Sequence, residues 1–151
     1  MIKFFILLQF CLLFFMLFHD WIPVPPLNDT VALKKVDGNW DRLKSSLING
    51  ACVAIPLWLT LKYVDATIPL STIITILAFY LALTIGTICA WWIPYFFGSS
   101  EKHKQIFKKF KNTHHFLPAR GNNIIPNTLH VLLHLQIWTC LLFSVYFLFF
   151  R

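Results

Sequence analysis

The sequence predicts an all-α, polytopic membrane protein with four transmembrane helices and a short amphipathic interfacial helix before the fourth. Three observations lead there. Of 151 residues, 58% are hydrophobic and only 13% charged, against about a quarter charged in a soluble domain. The apolar residues gather into four runs, each near the roughly twenty residues that a hydrocarbon core requires. The basic residues collect in two of the segments between those runs. A single membrane domain, 1–151, uses the whole length and leaves no room for a separate soluble module.

The first run, IKFFILLQFCLLFFMLFHDWI, covers 2–22, with Pro23 next. It competes with a secretory signal, but one lysine (Lys3) precedes it, no small-x-small site follows, and HDWIP stands where cleavage would fall. A retained first helix is expected. The second run, LINGACVAIPLWLTLKYV, covers 47–64 and contains Pro56, which frees a carbonyl that a kink or a neighbouring helix must satisfy. The third, PLSTIITILAFYLALTIGTICAWWIPYFFG, covers 69–98 and is long enough to tilt. The fourth, NTLHVLLHLQIWTCLLFSVYFLFF, covers 127–150. Between the second and third, DATIP is a tight turn, so those helices form an antiparallel hairpin.

The other two connections, 23–46 and 99–126, are long. Lys34, Lys35, Arg42 and Lys44 lie in the first, and Lys102, Lys104, Lys108, Lys109, Lys111 and Arg120 in the second. Ten of thirteen basic residues therefore share one side. The positive-inside rule places both loops in the cytoplasm of a plasma-membrane protein, with both termini outside. The charge of +7 then serves anionic lipid, and no nucleic-acid partner is expected. In the first loop, Pro23, Pro25 and Pro26 impose an extended course, and VALKKVDGNWDRLKSSL reads as a short helix or turn. In the second, Ser99 or Ser100 can cap a helix on which Ile106, Phe107 and Phe110 share a face, phenylalanines toward lipid and lysines toward phosphate.

All six histidines map to the inner half. His19 precedes Asp20 at the end of the first run; His103, His114 and His115 lie in the second long loop; His130 and His134 open the fourth run. Asn127 is a good N-cap, and Asn127, His130, His134 and Trp138 follow as one stripe. Such a His pair at i and i+4 can hold one metal ion, yet zinc needs a third protein ligand, and HExxH is absent. Interfacial histidines also cap helices, bond carbonyls of neighbouring spans or face headgroups without chemistry. Trp91, Trp92 and Tyr95 read as an aromatic belt. The cysteines Cys11, Cys52, Cys89 and Cys140 lie singly in apolar runs, which suits neither a disulfide framework nor a zinc ribbon. No acidic residue lies at the middle of a run and Lys62 is near an outer end, which disfavours coupled transport.

Three blocks, HDWIPVPPLND, AWWIPYFFG and HHFLPARGNNIIPNTLHVLLH, together resemble a group of small bacterial integral-membrane proteins that carry them in this order. The resemblance spans most of the chain. It implies a bacterial plasma-membrane location and brings no mechanism with it.

Two functional expectations follow. The first is a non-enzymatic accessory or ligand-binding membrane component with a basic, histidine-bearing cytoplasmic face, for which a protein partner or homo-oligomer stays open. The second is a metal-dependent or acid–base enzyme acting on a lipid or other membrane-borne substrate. Its candidate catalytic residues are His130, His134, His19 and Asp20; a divalent metal would fall to His130, His134, His114 and His115. Lys108, Lys109, Arg120 and Asn127 are the candidates for a headgroup.

Overall fold

A computed structural model describes residues 1–150, and no strand occurs among them. Helix α1 is Ile2–Phe18, α2 is Thr30–Leu61, and α3 is Leu70–Thr87. A π turn, Ile88–Trp92, joins α3 to α4, Ile93–Phe97. Then come α5, Glu101–Phe107, a 3-10 turn, Lys108–Phe110, and α6, Thr128–Phe149. Three helical stretches are long and apolar enough to cross a membrane: Thr30–Leu61, Leu70–Phe97 and Thr128–Phe149. The shorter apolar α1 completes a four-helix membrane bundle.

The bundle is a ring. α1 packs along α2, α3 along α6, and the α1–α6 and α2–α3 contacts close it. Phe5 and Leu12 of α1, Val53 of α2, Ile76 and Tyr80 of α3, and Ile137 and Cys140 of α6 fill its centre. Lipid contributes no hydrophobic drive between helices, so close packing must hold them. Gly50 shows how close: a Cβ there would lie 2.5 Å from Leu17 Cδ2 of α1.

Two boundaries differ from the sequence expectation. α1 ends at Phe18, short of 22, because the Asn28 amide takes the His19 and Ile22 carbonyls at 2.7 and 2.8 Å and turns the chain. α2 begins at Thr30, capped by Asp29, so much of the expected loop 23–46 is helix. Tertiary contacts outweigh its mixed-charge sequence. Buried Arg42 donates to the Asp20 carbonyl and lies over the Trp21 ring at 4.3 Å, and the Trp21 indole donates to Ser46 at 2.9 Å. The chain breaks direction once inside α2, at Gly38 (φ 68, ψ 173).

Trp40 and Trp58 on α2 are both exposed. They stand about 27 Å apart along the axis at 1.5 Å per residue, on the same helical face. Each carries a lysine ammonium from one turn further on, Lys44 at 5.4 Å and Lys62 at 6.0 Å. That separation is close to a bilayer's hydrocarbon thickness of about 30 Å, and tryptophan with snorkelling lysine is what its two boundaries favour.

Pro94 explains the π turn. It has no N–H for the carbonyl four residues back, Ala90, and the helix widens there as single π turns do. The freed Ala90 oxygen accepts from His103 Nε2 at 3.1 Å. Ser100 caps α5 by accepting from the His103 N–H at 3.3 Å. The phenylalanines that follow do not point into lipid as expected. Phe107 and Phe110 seat on Trp91, ring centroids 4.4 and 5.3 Å away, because the π turn presents that indole to them.

The break at Gly38 makes a prediction. Its backbone lies where only glycine is at ease, so Gly38→Ala is expected to destabilise by about 1–3 kcal/mol. Gly86→Ala, in helical backbone with nothing within 4 Å of the added Cβ, leaves stability unchanged or slightly raised. Thermal unfolding of both variants in micelles, followed by far-UV circular dichroism, checks the contrast.

Candidate functional site

At the loop end of the ring, His19, His130 and His134 gather as the stripe on α6 anticipates. The His130 ring lies 5.9 Å from His19 and 6.3 Å from His134, centroid to centroid. All three border a cleft of about 390 Å³ between α2 and the C-terminal half of α3. Asn49 closes one side, Thr87 and Trp91 the other. Ala82 and Gly86 on its wall are small and exposed, so the cleft opens sideways, on the face a membrane protein turns to acyl chains.

Asn127 orders this site. It is wholly buried. Its Nδ2 donates to Thr113 Oγ1 at 3.0 Å and to the Leu27 carbonyl at 3.4 Å. A carbonyl only accepts, so the amide orientation is fixed. Oδ1 then faces His130 and accepts twice, from the backbone N–H at 3.0 Å and from ring Nδ1 at 2.6 Å. In neutral His130 the proton is therefore on Nδ1, and Nε2 keeps its lone pair.

His134 is set the opposite way. The Trp92 indole donates to its Nδ1 at 3.2 Å. An indole N–H only donates, so Nδ1 is the acceptor and the ring proton sits on Nε2. Neither Nε2 has a protein partner among the described residues. One turn of helix thus presents an acceptor and a donor to the same cleft.

The other candidate histidines and Asp20 are each taken up by nearby groups. His19 Nδ1 donates to the Phe15 carbonyl at 2.9 Å, and its Nε2 lies 3.2 Å from the Asp20 carboxylate, as the adjacent pair suggests. His114 is exposed and fastens the loops: its N–H donates to the Pro26 carbonyl, its own carbonyl accepts from Thr128, and its ring meets Thr128 Oγ1 at 2.7 Å. His115 Nε2 donates to the Phe110 carbonyl at 3.1 Å. Among the described residues no three of His, Cys, Asp and Glu assemble to hold a metal ion. With Trp92 on Nδ1, His134 also offers no free lone pair to one.

Of the headgroup candidates, Lys109 is engaged by Asp37, and Asn127 has both ends of its amide committed inside the fold. Arg120 lies over Phe96 at 4.9 Å. Lys108 is exposed, with no ion-pair partner among the described residues. Residues that the sequence marked only as an aromatic belt or a loop histidine complete the site: Trp91 packs on His130 at 4.2 Å, Trp92 sets the His134 tautomer, and His103 steadies the π turn. Pro94 directly after WWI was the available signal, since it marks a freed carbonyl beside two indoles.

No family model, curated protein or solved structure matches this chain.

The tautomers can be read by imidazole ¹⁵N NMR at neutral pH. His130 is expected as the Nδ1–H form and His134 as the Nε2–H form. Trp92→Phe should release only the second, and Asn127→Ala the first. Asn127→Ala also leaves Thr113, the Leu27 carbonyl and His130 short of partners, with an expected loss of roughly 3 kcal/mol or more in stability.

Proposed function

We propose that the chain is a multi-pass plasma-membrane protein, a non-enzymatic ligand-binding or accessory component, that receives a membrane-borne ligand in the histidine cleft. Its two basic connections face the cytoplasm and both termini lie outside. The lysine and arginine asymmetry between the two ends of the bundle supports that orientation.

One observation carries the ligand reading: an acceptor, His130 Nε2, and a donor, His134 Nε2–H, open together into a cleft with a lateral mouth. An acyl chain alone would leave both nitrogens unpaired away from water, which is unfavourable by about 1–3 kcal/mol for each group. A ligand bearing a hydroxyl, amide or protonated carboxyl both donates and accepts, and satisfies the pair. Its apolar remainder enters from the bilayer between α2 and α3.

The same pair supports a second reading, an acid–base enzyme. A lone-pair imidazole beside an N–H imidazole supplies a base and a hydrogen-bond donor to the reacting group without any change of fold.

Lipid extracts of the purified protein separate these readings. The wild type should retain an enriched polar lipid that His130→Ala/His134→Ala loses and Lys34→Gln/Lys35→Gln, at exposed positions away from the cleft, keeps. Identical extracts from all three would remove the ligand reading. Conversion of that lipid by the wild type, with binding but no conversion in either single variant, would favour the enzyme.

A further inference from the structure

A second cleft, of about 510 Å³, lies on the other side of Trp91, between the 3-10 turn and the segment 122–125. Its floor is apolar: Trp91, Phe107 and Phe110 on one side, Ile124 and Ile125 on the other. Its rim is cationic, with Lys104, Lys108 and Lys111. Lys104 is spoken for by Glu101 at 2.8 Å, and that ammonium holds the Glu101 carboxyl below the usual carboxylate range. Lys109, between them in sequence, turns away to Asp37. Lys108 and Lys111 remain without a carboxylate partner among the described residues.

His115 also lines this cleft. Its Nε2 is used by the Phe110 carbonyl, while its Nδ1 is buried and has no partner. Two free ammonium groups at one rim favour an oxygen-rich anion. An apolar floor beneath a cationic rim at the membrane boundary needs an amphiphile. We infer that this cleft binds the phosphate group of an anionic amphiphile, with Lys108 and Lys111 on its charges. The first part of the chain lies over Trp91, Phe107 and Phe110.

The charge count favours a phosphomonoester. Two free ammonium groups match a dianion, where a phosphodiester brings one charge. Trp91 walls this site off from the histidine cleft, so the inference does not depend on what that cleft receives.

Native mass spectrometry of the full chain in micelles tests it, with phosphatidic acid, phosphatidylglycerol, phosphatidylcholine and inorganic phosphate as probes. One phosphatidic acid should bind saturably, more tightly than phosphatidylglycerol, with phosphatidylcholine not binding. Lys108→Gln/Lys111→Gln should weaken it about thirtyfold, at roughly fivefold for each lysine at a headgroup. Lys34→Gln/Lys35→Gln, which removes the same charge from exposed positions outside the cleft, should leave binding unchanged, as should His130→Ala/His134→Ala.

Equal weakening by the two lysine pairs would overturn the site in favour of diffuse surface charge. Phosphatidylglycerol binding as tightly as phosphatidic acid would overturn the monoester assignment. Inorganic phosphate competing at the affinity of the lipid would overturn the amphiphile and leave a free anion as occupant. Loss of phosphatidic acid in the histidine double variant would overturn the separation of the two clefts.

Discussion

A side-chain amide removed from water must find all of its partners within the protein, and the Asn127 amide finds them in three different parts of the chain. It caps α6, orients His130, and reaches Thr113 in one long connection and Leu27 in the other. Such a network is stronger in a low-dielectric setting and correspondingly intolerant of a missing member. This end of the bundle is therefore not a pair of independent loops hung from helices. Its two halves are tied to the opening turn of the helix that carries both cleft histidines, and His114 adds main-chain bonds to Pro26 and Thr128 beside the knot.

A second constraint comes from proline. Pro94 removes one donor from the third span, and the π turn that results aims two adjacent indoles at α6. Trp92 donates to His134, while Trp91 packs on His130 from one side and on Phe107 and Phe110 from the other. One ring thereby divides an apolar, laterally open cleft from a cation-rimmed one. The first opens on the side of the helices and the second carries lysines at its rim, which is why a membrane-borne ligand suits the first and a phosphate amphiphile the second.

Particular residues show how much was legible beforehand. The Asn127 cap and the His130–His134 spacing follow from local rules, and α6 carries them as read. The Ser100 cap likewise holds. VALKKVDGNWDRLKSSL reads as a short helix or turn because charges of both signs surround Trp40; it is helical on either side of the Gly38 break, held by Arg42 meeting Trp21 and the Asp20 carbonyl, contacts between segments that composition does not reveal. Phe107 and Phe110 look like membrane anchors on their own helix, and only the π turn supplies the indole that draws them inward.

The sequence by itself determined the solvent, the all-helical class, the runs that form the bundle and the end at which the histidines and lysines gather. Each of these depends on hydropathy and period along one segment. Tertiary structure alone decided which lysines remain free, which nitrogen of each histidine holds its proton, and that Trp91 stands between two clefts. Those features arise from partners distant in the chain, and hydrogen-bond direction is set only when donor and acceptor are brought face to face.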